Sequence, residues 1–402
     1  MSGTHHLKRL HSLDALRAAM MLLGLVLHSA ASYTTTKLSA WPYQDAKTSG
    51  LFDWIVFIIH LFRMPTFFVM AGFFAAFLYH REGPRGFLAH RTRRLLLPLA
   101  AAWVIVFPLA KSGVVYVVSG GGSTRLEPAL GFLSTTPYVK PTLIHLWFIY
   151  DLMIFCLAAV VIVPLVDRLP AAFRARIVAA FGNIAPTLAG CLAFGMLSAM
   201  TMIPMKAPAL DTSVSFLPLP RVLVAYSVFF SFGWLLFTRR DLVPSFGRHA
   251  WRYFGAGLVM AVVYMIVKLR PPFADVLQSH LAGVAAAGVA MWLLIYGLTG
   301  LFVRYFESPR SLVRYLSDGC YWMYLIHLPF TIWIPGLLAP LAIPALAKFL
   351  LVLGGTTFVT VTTYHYFVRA TAIGAFLNGR RFERALPQLG HVTGIATKPL
   401  TE

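Results

Sequence analysis

The chain has 402 residues, 58% of them apolar and only 12% charged, yet 34 lysines and arginines against 14 acidic residues give a formal net charge of +20. A mean hydropathy of +0.74 excludes a water-soluble globular domain and marks an integral membrane protein. Cys156, Cys191 and Cys320 all fall in apolar stretches without CxxC or Cys/His ligand spacing, so neither a disulfide framework nor a metal site is expected.

Apolar stretches of about 20 residues recur throughout, each able to cross a hydrocarbon core of about 30 Å as a helix. They predict an all-α, polytopic domain over residues 1–382, with spans near 13–33, 52–79, 95–118, 143–166, 184–203, 220–238, 250–268, 279–302, 316–337 and 342–368. That is about ten transmembrane helices, followed by a loosely ordered tail over 383–402.

Basic residues fall in alternate loops. Lys8 and Arg9 precede the first span, Arg81, Arg85, Arg91, Arg93 and Arg94 follow the second, and Arg168, Arg174 and Arg176 follow the fourth. Further sets follow the sixth (Arg239, Arg240, Arg248), the eighth (Arg304, Arg310, Arg314) and the tenth (Arg369, Arg380, Arg381, Arg384). By the positive-inside rule both termini are cytoplasmic, and the charge serves topology and anionic lipid contact rather than nucleic acid.

The first span, "LDALRAAMMLLGLVLHSAASY", holds Asp14, Arg17 and His28. Asp14 and Arg17 interrupt what would be a signal peptide's uncharged core, and the rest of the chain is polytopic, so an uncleaved helix is expected. A buried Asp or Arg costs about 2.5–3.5 kcal/mol at a helix centre. Arg17 and His28 are separated by about 16 Å of rise but only about 20° of rotation, so they share a stripe with Met21, Gly24 and Ser32 that faces protein or water. Asp14, one turn before Arg17, is equally well placed to be its i,i+3 ion partner.

In the second span His60 and Arg63 lie one turn apart near mid-depth, and Pro65 frees a backbone carbonyl in the preceding turn. Arg63 cannot lose its charge and needs an anion or an aqueous cavity. Arg91, Arg93 and Arg94 stand at the mouth of the third span, as a topology signal or as forks for the phosphates of a nucleotide-like donor. Loop 111–142 contains "SGGGSTRLEP", which follows no strand and carries no P-loop lysine, so it reads as a flexible connection.

Farther on, His145 sits in "HLWFIYD" with Asp151 on another face, His280 at the outer end of the eighth span, and His327 in "YWMYLIHLPF". Trp147, Tyr150, Tyr321, Trp322 and Tyr324 read most simply as interfacial or packing aromatics. A buried histidine beside fixed cations, above an arginine-rich mouth, suits acyl transfer across a membrane. A proton-coupled transporter also fits these residues, although the paired, glycine-interrupted half-helices typical of transporters are missing.

"LDALRAAMMLLGLVLH", "FRMPTFFVMAGFF" followed by "FLAHRTRRLLLP", "HLWF" and "YLIHLPF" resemble the signatures of the acyltransferase-3 membrane family. The resemblance follows the spans in order, is densest in residues 10–100 and 145–150, and is strongest to a branch described as succinylating osmoregulated periplasmic glucans. It implies a bacterial inner-membrane O-acyltransferase with acyl-CoA as donor, no bound cofactor, and an acceptor hydroxyl on a periplasmic glucan. It implies His28, Arg17 and Asp14 at the reaction centre, with His28 as general base or acyl relay. His60, Arg63, Arg91, Arg94, His145, Trp147 and His327 are the expected donor- or substrate-binding residues, with Arg63 opposite the free carboxylate of a succinyl group and Arg91 and Arg94 on the phosphates of coenzyme A. The alternatives are O-acetylation of another extracytoplasmic glycan, or a transporter that does no chemistry.

Overall fold

Long apolar runs with few helix breakers, once inside lipid, must satisfy their backbone internally, and here they do so as helices. The computed structural model describes residues 11–120, 126–308 and 310–385 and contains no β-strand among them. Lys8, Arg9, Arg125, most of the glycine-rich run and nearly all of the expected tail lie outside the described residues. In chain order the helices are α1 (His11–Ala30), α2 (Gly50–Arg91), α3 (Leu97–Val118), α4 (Leu126–Thr135), α5 (Trp147–Asp167), α6 (Ala171–Ile184) and α7 (Leu188–Met202). They continue with α8 (Pro220–Thr238), α9 (Ala250–Leu269), α10 (Val276–Tyr305), α11 (Ser311–Leu338), α12 (Ala345–Thr363) and the short α13 (Ala372–Asn378).

Every expected span falls on a helix. Among the described residues seven helical runs are long and apolar enough to cross a membrane, eight if α6 and α7, bent by 110° at their junction, form one span. One of the seven, Gly50–Val118, is 69 residues long, about 100 Å of helix and so enough for two crossings. It turns at Gly83, whose φ of 68° and ψ of 175° belong to a region glycine alone enters easily, and Pro84 restarts the helix beyond it. α11 is polar for a span because it carries Arg314, Asp318 and His327, but its 28 residues give ample length.

The first helix is an inner wall rather than a lipid-facing anchor. In α1 and its terminal turn 67% of the apolar window is buried, against 28% for Arg240–Leu269, and α1 packs on α2, α10, α11 and α12. Large aliphatic side chains on α3, α5 and α9 point outward instead, among them Ile105, Val161 and Val259, as lipid contact requires. Among the described residues two pairs of helices touch backbone to backbone through a glycine on each side. At Gly72 of α2 and Gly233 of α8 a β-carbon would run into the main chain of the partner helix, and Gly195 of α7 and Gly288 of α10 repeat the arrangement. The three cysteines are buried and free.

Candidate active site

At one end of the bundle α1 tightens into a 3-10 turn, Ala31–Tyr33, and the chain then runs as a strap over residues 34–49 before α2 begins. Between the strap, α1, α2, α9, α11 and the turn before α5 lies a cavity of about 980 Å³, lined among others by His28, Trp41, His60, Arg63, His145 and Lys268. That volume suits a ligand of sugar or acyl size.

Three histidines meet beside it, His28 and His145 on its wall and His327 buried behind them. His28 Nδ1 lies 2.8 Å from His327 Nε2, and the two rings are within 6° of parallel with centroids 5.0 Å apart. Nitrogens so much closer than the centroids mean that the rings share a plane and are joined edge to edge. His327 Nδ1 donates to the carbonyl of Tyr324 at 2.7 Å, and His145 Nε2 donates to the same carbonyl at 2.9 Å. The Tyr324 hydroxyl closes the loop by donating to the His145 carbonyl at 2.6 Å. Pro329 helps to make this possible. Lacking an N–H, it leaves the Leu325 carbonyl without a helical partner, and that carbonyl also faces His145.

The tautomers follow from these bonds, because a carbonyl only accepts. His327 carries its proton on Nδ1, so its Nε2 is a lone pair. His28 must then donate from Nδ1, which leaves His28 Nε2 as a lone pair. His327 is wholly buried and His145 8% exposed, whereas His28 is half-buried and lines the cavity. His145 likewise keeps a lone pair on Nδ1, buried without a partner among the described residues, so the basic nitrogen on the half-buried ring is His28 Nε2, held through His327 and the Tyr324 carbonyl in the way that orients a general base. His145 is brought to the cluster by a strained turn, since the preceding Ile144 has φ 48°, a conformation that costs a β-branched residue about 1–3 kcal/mol.

Arg63 supplies the charge. It is 8% exposed, its Nε has no hydrogen-bond partner among the described residues, and its titratable neighbours are the phenols of Tyr226 and Tyr324 and the rings of His28, His60, His145 and His327. Its guanidinium lies across α1 at Gly24, and a β-carbon there would collide with it and would stand 4.0 Å from His327 Nε2. The glycine on the polar stripe therefore makes room for the cation. Trp147 lines the cavity and packs on Tyr226 with centroids 5.5 Å apart.

The remaining expected residues stand elsewhere. Arg17 and Asp14 form the i,i+3 pair at 3.5 Å, with Arg17 over the Phe74 ring. The structure does not bring them to the histidines, because eleven helical residues carry them about 16 Å away. Arg91 lies over Phe87 and within electrostatic reach of Arg17. Arg94 Nη1 donates to the carbonyls of Ala375 and Phe376 at 2.7 and 2.6 Å, closing the open end of α13. His280 bonds the Ile203 carbonyl at 3.1 Å and ties α10 to the chain beyond α7, apart from the cavity. Among the described residues no cluster of three side chains is arranged to hold a metal ion.

Sequence reasoning missed Trp41, Tyr324 and Lys268 as parts of this site, and missed the buried pair of Asp45 with Lys348. For the pair there was a signal, a lone lysine in the opening turn of an apolar span.

The acyltransferase-3 family, described as an acyltransferase domain, matches residues 10–365. Curated proteins named Glucans biosynthesis protein C, from Salmonella paratyphi B, Salmonella dublin and Salmonella enteritidis, are 25% identical to this chain over 338 residues, 83% of this chain and 85% of theirs. No solved structure matches. With the family covering nearly the whole helical bundle, the chain belongs to the acyltransferase-3 family and is a multi-pass membrane acyltransferase.

Proposed function

We propose that this protein moves an acyl group, succinyl in the first instance, from cytoplasmic acyl-CoA to a hydroxyl of a periplasmic glucan, within a bacterial inner membrane. The observation that carries this reading is the lone pair of His28 Nε2, fixed through His327 and Tyr324, facing a cavity that also holds Arg63, a cation whose Nε has no partner among the described residues. The name shared by the Salmonella relatives supports a glucan acceptor.

In the reaction the acceptor hydroxyl attacks the thioester carbonyl carbon while His28 Nε2 takes its proton. A C–O bond forms, the C–S bond breaks, and the coenzyme A thiolate leaves with the proton that the imidazolium returns. Arg63 stands where negative charge develops on the acyl oxygen, and in the succinyl complex it also faces the distal carboxylate. The basic end, with Arg17, Arg91 and the remaining donors of Arg94, holds the donor's phosphates, and its pantetheine arm spans the interval to His28.

The test uses purified full-length protein in liposomes, with succinyl-CoA or acetyl-CoA and a glucan oligosaccharide, reading thiol release and the added mass on the sugar. The expected product is a succinyl ester. Arg63→Met is expected to lower the succinyl rate about 100-fold and the acetyl rate by less. Equal rates for the two donors in the parent protein would replace the succinyl assignment with O-acetylation, and glucan movement without thiol release would replace the enzyme with a transporter.

A further inference from the structure

The outer strap ends up against the base. The Trp41 ring stands beside the His28 ring with centroids 5.5 Å apart and planes 18° from parallel, and its indole N–H donates to Ser32 Oγ at 2.8 Å. The indole is thus an aromatic neighbour of His28, while His327 holds its Nδ1 edge. The strap is fastened far from where it begins. Lys348 Nζ on α12 donates to both carboxylate oxygens of Asp45, at 3.0 and 2.9 Å, and both side chains are 1% exposed.

Asp45 gathers the strap around itself. Its backbone N–H donates to the Ser32 carbonyl at 2.8 Å, the Lys47 N–H donates to its carboxylate at 2.8 Å, and the Tyr43 hydroxyl donates to it at 3.0 Å. Burial and the neighbouring carboxylate push the Tyr43 phenol up from its ordinary range, so it stays a donor. The ion pair thus ties the far side of the loop that carries Trp41 to α12, while Asp53 of α2 holds its near side by accepting from the Thr35 and Thr36 N–H groups at 2.8 and 2.9 Å. Proton abstraction turns His28 into an imidazolium beside Arg63 and, on the facing elements, His60, His145 and His327, while the two carboxylates that line the pocket, Asp53 and Asp211, are taken up by Thr35 with Thr36 and by Arg221. The face of an indole is the neighbouring group that attracts such a cation.

We propose that Trp41 is a positioning residue for His28, orienting the neutral ring and stabilising the imidazolium through its π face, and that Asp45 with Lys348 is the latch that keeps it there. The proposal rests on His28 being the base.

The test uses the full chain in liposomes and reads kcat, KM for donor and acceptor, and amide hydrogen exchange across residues 36–48. Trp41→Leu is expected to lower kcat about 10- to 30-fold with KM for acyl-CoA unchanged, and Trp41→Phe, which keeps a π face, to recover most of that loss. Lys348→Met, with the indole retained, is expected to reproduce the fall in kcat and to speed exchange across the strap. The double variant Asp45→Leu with Lys348→Met, which leaves no charge unpaired but still lacks the latch, is expected to stay as slow and as fast-exchanging as Lys348→Met, and recovery of both would assign the Lys348→Met effect to an unpaired buried carboxylate instead. A Trp41→Leu enzyme with unchanged kcat, a Trp41→Phe enzyme as slow as Trp41→Leu, or unaltered exchange in Lys348→Met would each overturn the proposal. If Trp41→Leu does not accumulate, Lys348→Met and the double variant carry the test. Full activity in His28→Ala would instead sink the assignment of the base itself.

Discussion

The two ends of α1 carry polar groups into the membrane in opposite ways. Near its start the groups hold fixed charge: Arg17 is paired with Asp14, about a third exposed, and rests on an aromatic ring. Toward its end the groups are neutral histidines, and their N–H bonds are absorbed by a ring nitrogen and a backbone carbonyl. In α1 the fixed pair is partly exposed, whereas His28 is held among buried histidines at the wall of the cavity. Arg63 adds a buried, obligate cation beside these histidines, and its Nε has no hydrogen-bond partner among the described residues. Under the proposed function, this is where the substrate's negative charge would be met.

Substitutions along α1 can break or sharpen that contrast. The largest effect is expected at His28. His28→Ala should lower kcat about 100- to 10,000-fold, the range of a positioned base, with the thermal midpoint in detergent nearly unchanged. A larger loss from Arg17→Ala would reverse the roles assigned to the two ends. Gly24→Ala is expected to cost about tenfold in kcat, because the new methyl displaces a flexible guanidinium tip rather than backbone. Unchanged activity there would free Arg63 from the mechanism. The smallest effect is expected from Arg17→Ala in succinyl-CoA titrations, a rise in KM of about fivefold with kcat preserved, the signature of lost ground-state binding.

Much of the scaffold was legible because hydrophobic length and charge alternation are local properties. The ten spans appeared as runs of apolar residues, and the polar stripe of α1 followed from helical arithmetic alone. The fifth span was the least legible, since α7 has only 15 residues and depends on a bent neighbour to gain length. The histidines were visible singly but not as a cluster. His28 and His327 are 299 positions apart, and nothing in either neighbourhood encodes the coplanar bond between them. Tyr324 looked like packing because its contribution comes largely through its main-chain carbonyl, to which side-chain chemistry gives no clue. Trp41 sits in a loop without periodicity, and its place is fixed by an ion pair spanning 303 positions.

The glycine crossing of α2 and α8 bears on how the chain reads in a mutational scan. Gly72 and Gly233 admit no side chain, because each faces the main chain of the other's helix. Random substitution at either would score as severely as loss of the base, although neither touches the cavity. Intolerance at these positions reports on assembly, so a map of essential residues becomes a map of chemistry only after protein abundance in the membrane has been divided out.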